Sequence, residues 1–261
     1  MPMVRLLAVV ALLAIMTIAS PATSAEPSSL RVMSYNLNYA NPDAKGTMEV
    51  IAAEDADVVL LQEIDRGWQD ALSKRFAKLY PHQAFRLHAR GAGGLAVLSK
   101  VAISSEELVP TPPDGWFPAQ RLVVDGPFGA VQVLNVHLRP AIESGSWIKG
   151  FQTTPPVRLR QIQAFWKTIA KNLPTIVAGD FNEDTYGTAV DFVEKQGLAR
   201  VPTTGPTTWR YERIADCKPC AILSMNIDHV MVDGHFTATD ARVLDAGASD
   251  HRPVVVTLGK K

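Results

Sequence analysis

Residues 175–182 read TIVAGDFN, a short and mostly apolar run that ends in an acid and an amide. Residues 57–63 repeat this pattern as DVVLLQE, with a second acid at the end. A continuous apolar run of this length, bounded by polar residues, is typical of a β-strand that is buried on both faces. The two stretches therefore predict a sheet that is covered by other layers of structure.

Helical patterns alternate with such strands along the rest of the chain. Residues 157–172 place apolar side chains at helical spacing between prolines, which predicts a helix, and shorter helices are expected at residues 188–196, 68–79 and 48–54. Residues 125–129, DGPFG, predict a hairpin turn. Strands joined by hairpins and by helices predict one domain, an α/β or α+β sandwich in which helices cover sheets. The other predicted strands lie at residues 30–38, 94–100, 122–124, 130–138, 227–232 and 254–258.

The composition is that of an ordinary globular protein. The chain has 261 residues, 47% of them hydrophobic, with 2 Cys and with 26 Lys and Arg against 26 Asp and Glu. This much apolar sequence excludes intrinsic disorder, and two cysteines are too few for a disulfide scaffold. The neutral charge balance argues against a domain that binds nucleic acid through bulk positive charge, although it leaves room for a local basic groove.

Residues 1–25 resemble a secretory signal. Arg5 provides the positive start, residues 6–19 form an apolar run, and residues 23–25 are small enough for cleavage. A transmembrane anchor is the alternative, but this run has 14 residues, fewer than the roughly 18–20 needed to span a bilayer. We therefore expect cleavage before Glu26, a mature domain of residues 26–261, and a periplasmic or secreted location.

Cys217 and Cys220 form a lone CxxC pair. In an oxidising compartment a structural disulfide is the favoured interpretation. A thioredoxin-like redox pair and a zinc site remain alternatives. The redox pair would lack its usual βαβ setting, and zinc would need two more ligands, for which His229 and His235 have unfamiliar spacing.

Polar side chains lie at or near the ends of the predicted strands. Each alone has a structural explanation, because an acid can cap a helix, an Asn can hold a turn and a His can be satisfied in the core. Taken together, carboxylates and amides suit a hard cation such as Mg²⁺, and histidines suit proton transfer or charge stabilisation. The set comprises Asn36, Glu63, His137, Asp180, Asn182, Asp228, Asp250 and His251.

Six short motifs that contain these residues occur in an order that resembles the endonuclease/exonuclease/phosphatase superfamily. The resemblance implies a four-layer α/β sandwich, with two mixed β-sheets face to face and helices outside. It also implies a divalent-metal site at one end of the strands. The motifs are SYN at residues 34–36, LQE at 61–63, NVHL at 135–138, GDFN at 179–182, IDHV at 227–230 and SDHRPV at 249–254.

The resemblance implies a metal site around Glu63. This residue would be the principal ligand of Mg²⁺, with Mn²⁺ as a possible substitute, and Asn36 and Asp250 would lie in or beside the coordination sphere. Some members of the superfamily are described with two metals. In that case Asp180 would be among the ligands of the second ion, together with Asn182 and His251.

The resemblance also implies catalytic roles for five residues. Asp180 would orient or deprotonate the attacking water, and Asn182 would hydrogen-bond the phosphate. His251 would stabilise the phosphorus centre or pass a proton, with Asp228 fixing its orientation. His137 would act as a second donor or as the acid for the leaving oxygen.

His137 also bears on the subgroup. Abasic-site nucleases place a Tyr near this point, whereas pancreatic-type deoxyribonucleases, sphingomyelinases and many inositol phosphatases place a His. The acidic partner that pancreatic-type enzymes give this His is not located by any motif here. His229 and Phe181 depart from the inositol 5-phosphatase pattern and argue against that subgroup.

Two predicted loops, residues 140–156 and 202–224, are candidates for choosing the substrate. Their Trp147 and Trp209 could stack on bases or touch a lipid headgroup, or they could simply pack the loops onto the sandwich. The start of the helix predicted at 157–172 is equally open, since its polar residues could reach a phosphate or form an exposed face. These residues are Arg158, Arg160 and Gln161.

The sequence thus predicts an exported, Mg²⁺-dependent phosphoesterase that acts as a monomer. Its expected reaction is phosphodiester hydrolysis of nucleic acid by in-line attack of water on phosphorus. The alternatives are a phospholipid or small-molecule phosphoesterase and an inactive phosphate-binding module of the same fold. Because the full set of acids and histidines is present, the enzyme is favoured over the binding module.

Overall fold

Two mixed six-stranded sheets form the centre of the molecule. The computed structural model describes residues 29–89, 91–211 and 223–261. The predicted signal at residues 1–25 and the cysteine pair, Cys217 and Cys220, lie outside the described residues.

The first sheet has one parallel pair of strands, β1 and β2, and antiparallel pairing elsewhere. Its spatial order is β13 (Phe236–Val243), β14 (Val254–Lys260), β1 (Ser29–Asn36), β2 (Val58–Gln62), β4 (Leu95–Ser99) and β3 (His82–Arg86).

The second sheet is built in the same way around the parallel pair β7 and β8. Its spatial order is β5 (Ile103–Val109), β6 (Ala119–Gly126), β7 (Gly129–His137), β8 (Thr175–Asp180), β12 (Asp228–Val232) and β9 (Ala199–Arg200). A separate antiparallel pair joins β10 (Trp209–Tyr211) to β11 (Leu223–Met225).

Helices cover the outer face of each sheet. On the first sheet, α1 (Ala44–Glu54) and α2 (Arg66–Phe76) pack onto one apolar cluster. On the second sheet, α4 (Pro155–Trp166) and α5 (Thr188–Lys195) pack onto another. The short α3 (Trp147–Thr153) precedes α4, and a 3₁₀ turn spans Gly91–Gly93. The expected four-layer α/β sandwich is confirmed.

The central core lies between the two sheets and follows the alternation of strand side chains. Val32 of β1 and Ile176 of β8 belong to this inter-sheet core, whereas their neighbours Met33 and Val177 pack against the helices outside. Both faces of these strands are therefore buried, which explains why their sequences are continuously apolar.

A buried hydrogen bond joins the sheets at the polar end of this core. Gln62 Nε2 of β2 donates to Asn135 Oδ1 of β7 at 2.8 Å. Asn135 Nδ2 in turn donates to the carbonyl oxygens of Leu61 and Ala96 in the first sheet, at 3.2 and 3.3 Å. Because an unmade hydrogen bond at a buried polar group is costly, this contact favours one relative placement of the sheets.

The elements that the sequence did not predict are mostly edge strands and short pieces. The strands β3, β5 and β13 carry partly exposed, polar side chains and lack a buried apolar run. The predicted loops at 140–156 and 202–224 contain α3 and the β10–β11 pair, so describing them as loops throughout was wrong. Within the described residues, no helix is long and apolar enough to cross a membrane.

The helix predicted at residues 157–172 begins at Pro155 and ends at Trp166. Proline suits the first helical position because an N–H there would have no hydrogen-bond partner within the helix. After Trp166 the chain forms a tighter turn, in which Thr168 N donates to Phe165 O, three residues back, at 3.1 Å. The backbone of Ala170 then bonds to the side chain of Gln132 and leaves the helical path.

Gly179 allows β7 and β8 to approach closely beside the end of the sheet. Its φ is +141°, and a Cβ at this position would lie 2.0 Å from the carbonyl oxygen of Val136. An alanine would therefore strain the backbone and overpack the contact.

Gly179→Ala should lower the free energy of unfolding by about 2–4 kcal/mol, as measured by urea denaturation. Gly234→Ala is the matched control, because a Cβ there meets nothing within 4 Å, and its effect should stay within about 0.5 kcal/mol. Equal denaturation midpoints for the two variants would contradict this account of the close approach.

Candidate active site

The rows of apolar side chains between the sheets continue into polar side chains at one end. On β8, Ile176 and Ala178 face the inter-sheet core and Asp180 is the next residue on that face. On β1 the same row leads from Val32 to Asn36. The corresponding residues on β7 and β12 are His137 and Asp228. Strands from both sheets thus deliver polar groups to one edge of the sandwich.

Asp180 is the central residue of this cluster and is fully buried. Asn36 Nδ2 donates to its Oδ2 at 3.1 Å, and the backbone N–H of Asn182 donates to its Oδ1 at 2.8 Å. The Nε2 atoms of His137 and His251 lie 3.5 and 3.7 Å from Oδ2. Burial raises the pKa of Asp180 to about 8, against the opposing effect of the His251 charge.

Glu63 lies directly beside this centre. Asn36 Nδ2 donates to Glu63 Oε1 at 3.1 Å and the backbone N–H of Tyr39 donates to Oε2 at 3.2 Å. Burial raises the pKa of Glu63, because these neutral donors only partly replace water. Its φ of +60° is unusual for a residue other than glycine, and such strain is common at functional sites.

Asp250 lies in the loop before β14 and reaches a cavity beside Asp180 and Glu63. Asn38 Nδ2 donates to its Oδ1 at 2.9 Å, and Trp209 Nε1 donates to its Oδ2 at 3.0 Å. Asp250, Glu63 and Asp180 all line this cavity. The carboxylate is therefore oriented by two neutral donors that no motif identified.

His251 is paired with Asp228 through its other ring nitrogen. Its Nδ1 lies 2.9 and 3.1 Å from the two carboxylate oxygens of Asp228. Burial alone would lower the pKa of His251, but the negative charges of Asp228 and Asp180 outweigh it and raise the pKa to about 10. This pKa favours the imidazolium at neutral pH, and its Nε2 lies 3.7 Å from Asp180 Oδ2.

His137 has the opposite charge state. Its Nδ1 lies 3.0 Å from the carbonyl oxygen of Ala92, which can only accept, so Nδ1 carries the proton. Burial, and then the His251 charge, lower the pKa of His137 to about 3. The ring is neutral, packs on Phe117 at 4.5 Å between centroids, and presents a lone pair at Nε2. The partner of Nδ1 is thus a backbone carbonyl and not an acidic side chain.

The sequence-predicted residues therefore meet at one place, in two groups. Asn36 and Glu63 contact each other, and Asp250 lies on the same cavity. Asn36 turns its amide nitrogen to the carboxylates, since its oxygen accepts from Asn38 N at 3.0 Å. A second group, whose ligand atoms lie within 4.8 Å of one another, could hold a metal ion and comprises Asp180, Asp228 and His251.

Asn182 and two hydroxyl groups complete the polar network. Asn182 Nδ2 donates to the carbonyl of Leu138 at 3.1 Å. Thr208 Oγ1 accepts from the backbone N–H of Asp228 at 3.0 Å. Ser249 Oγ accepts from His251 N at 3.1 Å and donates to Asn36 O at 2.8 Å. Sequence reasoning missed Thr208, and it quoted Ser249 only as part of a motif, because the contacts of these hydroxyls join distant segments.

Aromatic side chains form the walls of the cavity, whose volume is about 240 Å³. Trp147 of α3 contacts Trp209 of β10 at 5.8 Å between centroids, and Phe151, Trp116 and Phe117 also line the cavity. Among the described residues of the lining, none is Lys or Arg. The cavity therefore has an acidic floor and apolar walls.

The family follows from this fold and this site together with a sequence match. The profile of the Endonuclease/Exonuclease/phosphatase family matches residues 33–251, a range that includes every residue of the cluster described above. The chain belongs to this family. It is therefore a member of a superfamily of phosphoester-cleaving enzymes.

Solved structures with the same fold support this assignment. An endonuclease/exonuclease/phosphatase from Beutenbergia cavernae DSM 12333 is 26% identical, with a TM-score of 0.67 over 89% of this chain and 72% of that chain. Sphingomyelinase C from Streptomyces griseocarneus is 23% identical, with a TM-score of 0.66 over 89% and 99% of the two chains. TDP2 of D. rerio, complexed with single strand DNA product, is 18% identical, with a TM-score of 0.70 over 89% and 100%. A search of curated proteins returned no match.

The charge states of the two histidines can be measured directly. In ¹⁵N-detected spectra of the metal-free protein, His251 should be doubly protonated at pH 8 and His137 should be neutral. Asp228→Asn removes the strongest charge that raises the pKa of His251, so this ring should lose its proton at lower pH.

Asp191→Asn is the control for this measurement, because Asp191 is an exposed residue of α5 that pairs with Lys195. It should leave both titrations unchanged. A His251 that titrates near the ordinary pKa of about 6.5 in the unaltered protein would show that Asp228 does not hold the imidazolium.

Proposed function

We propose that this chain is an exported, Mg²⁺-dependent phosphodiesterase that hydrolyses nucleic acid by in-line attack of water on phosphorus. The observation that carries the proposal is the position of Asp180, which lies within 3.7 Å of one neutral and one cationic histidine. A proton acceptor, Asp180, beside a proton donor, the cationic His251, is the arrangement that hydrolysis of a phosphoester needs. The signal-like residues 1–25 support export.

The donor set fits a divalent cation. Glu63, Asp250 and the amide oxygen of Asn36, once that amide rotates, are hard oxygen ligands of the kind that Mg²⁺ and Mn²⁺ prefer. Glu63, Asp180 and Asp250 face one cationic side chain, His251, in the described lining, so a divalent cation would help to offset their repulsion of a phosphate. A bound Mg²⁺ would hold a phosphate oxygen and stabilise the charge that develops there.

Asp180 would accept the proton of the attacking water. Burial raises the pKa of Asp180 to about 8, so the carboxylate that can accept a proton is the minor form at neutral pH and the major form above pH 8. After His251 has protonated the leaving oxygen, Asp180 could return its proton to His251 Nε2, 3.7 Å away. The neutral His137, with a pKa of about 3, would accept only a hydrogen bond from Asp180, 3.5 Å away. Asn182, which lines the cavity, would donate its second amide hydrogen to the phosphate.

His251 would be the proton donor, acting on the phosphate and the leaving oxygen. As an imidazolium held by Asp228, it can hydrogen-bond a phosphate oxygen and protonate the leaving oxygen. The charge states therefore favour His251 over His137 as the acid, which refines the roles that the family resemblance implied.

The aromatic walls support nucleic acid as the substrate. Trp147 lines the cavity, is partly exposed, and offers a ring on which a base can stack without reading sequence, while the buried Trp209 packs behind it. The likeness to TDP2, which was solved with a single-strand DNA product, agrees with this choice.

A phospholipid headgroup is the second candidate, favoured by exposed apolar side chains near the cavity. Ile148 follows the lining residue Trp147, and Tyr186 shares a neighbouring cleft with Phe151. Ile148 of α3 is 76% exposed, Phe151 is partly exposed and Tyr186 is 95% exposed. Exposed apolar side chains beside a site can contact a lipid surface. The fold likeness to a sphingomyelinase C agrees with this alternative.

The mature protein, residues 26–261, should hydrolyse single-stranded DNA with Mg²⁺ and lose that activity in EDTA. Asp180→Asn should reduce the rate at least about 10³-fold, because it removes the proton acceptor and keeps the shape. Asp184→Asn, an exposed acid on the same loop, should remain within about twofold of the unaltered protein.

The same preparations should be tested on sphingomyelin and phosphatidylcholine vesicles. Metal-dependent hydrolysis of vesicles without cleavage of DNA would replace the first candidate by the second. A folded Asp180→Asn protein that retains full activity on its substrate would contradict the mechanism itself.

A further inference from the structure

A buried ion pair that the proposed reaction does not use lies behind the cluster. Arg158 of α4 and Glu183, which follows Asn182, are 3% and 4% exposed. Arg158 Nε donates to Glu183 Oε1 at 2.9 Å. The arginine therefore neither reaches a phosphate nor lies on an exposed face, the two possibilities that the sequence left open.

Arg158 also holds the segment that follows His137. Its Nη1 donates to the carbonyl of Arg139 at 3.1 Å and to Thr154 Oγ1 at 2.7 Å. The N–H of the same Arg139 donates to Gln161 Oε1 at 2.8 Å. Two side chains of α4 thus hydrogen-bond to the backbone N–H and carbonyl of Arg139, two residues after His137.

Glu183 fixes the segment that follows Asp180. Its Oε2 accepts from the backbone N–H of Ala189 at 2.7 Å, at the start of α5. Its carbonyl oxygen lies 2.9 Å from His229 Nε2, beside Asp228. Gly187 leaves space for this arrangement, since a Cβ there would lie 2.4 Å from Glu183 Oε2.

The two segments held in this way also bind each other. Leu138 N donates to Asp180 O at 2.9 Å, and Asn182 Nδ2 donates to Leu138 O. Asn182 has a φ of +52°, a conformation that the surroundings must impose. The ion pair therefore lies where it can set the spacing between His137, Asp180 and Asn182.

We propose that Arg158 and Glu183 are a positioning pair that holds His137 and Asn182 in register with Asp180 for turnover. This inference rests on the proposed function of the same site. Neither residue contacts the substrate in this account. Displacement of reacting groups by about 1 Å can cost about 10²-fold in rate, so loosening the pair should lower kcat and leave KM nearly unchanged.

The test variant is the double substitution Arg158→Met with Glu183→Gln. Removing one partner alone would leave a buried unpaired charge and could prevent folding, whereas the double change leaves none. Arg160→Gln is the matched control, because Arg160 lies two residues further along the same helix and forms an exposed pair with Asp114.

In the folded double variant, kcat should fall about 10- to 100-fold with KM within about twofold, and Arg160→Gln should change neither. A second measurement does not depend on activity: hydrogen exchange at the Leu138 amide should become at least about tenfold faster in the double variant only. The single variant Arg158→Lys should recover part of kcat, because it keeps the charge but loses the forked geometry.

A folded double variant with unaltered kcat, or one in which KM rises while kcat is unchanged, would overturn the proposal. If the unaltered protein hydrolyses no phosphoester, the proposed function fails, and the exchange measurement decides on the pair alone. Faster exchange at Leu138 would then still support the positioning role, and unchanged exchange would refute it.

Discussion

The hydrogen bond from Gln62 to Asn135 couples the two sheets beneath the site, and the arrangement of the site depends on that coupling. Side chains alternate strictly along a strand, so the last side chain of each inter-sheet row has a fixed face and a fixed position along the strand. Asn36 and Glu63 come from the first sheet, whereas His137, Asp180 and Asp228 come from the second. The cluster forms only if the sheets meet in one register, and the buried amide pair at 2.8 Å favours that register over others.

Burial then determines the electrostatics of the cluster. Desolvation raises the pKa of Asp180 and Glu63 and lowers that of His137, whereas carboxylate charges raise the pKa of His251. The residues of one small volume are thereby divided into a neutral acceptor, His137, and a cationic donor, His251, on the two sides of Asp180. The described lining has more acids than bases, and the proposed cation site lies at Glu63, whereas the imidazolium is paired with Asp228.

The sequence predicted the central strands, and the polar cluster at their ends, for one reason. A strand buried on both faces has a continuous apolar sequence, and a polar residue at its end can only face the edge, as Asp180 does. Edge strands such as β3 and β13 lack that sequence, because one face meets solvent. The partners that orient the site were not predictable, since the Ala92 carbonyl and the Trp209 indole reach it across long stretches of chain. The Arg158–Glu183 pair was not predictable either, because helical spacing does not show whether an arginine is buried.

The position of the cation is the most direct test of the central claim, that the two halves of the cluster have different tasks. Crystals grown with Mn²⁺ and measured for anomalous scattering would locate it. The account predicts a peak about 2–2.5 Å from the carboxylate of Glu63, with Asp250 and Asn36 around it and the Asp228–His251 pair intact. A peak bound by Asp228 and His251 with none at Glu63 would contradict it, because that ion would displace the proton on which the role of His251 depends.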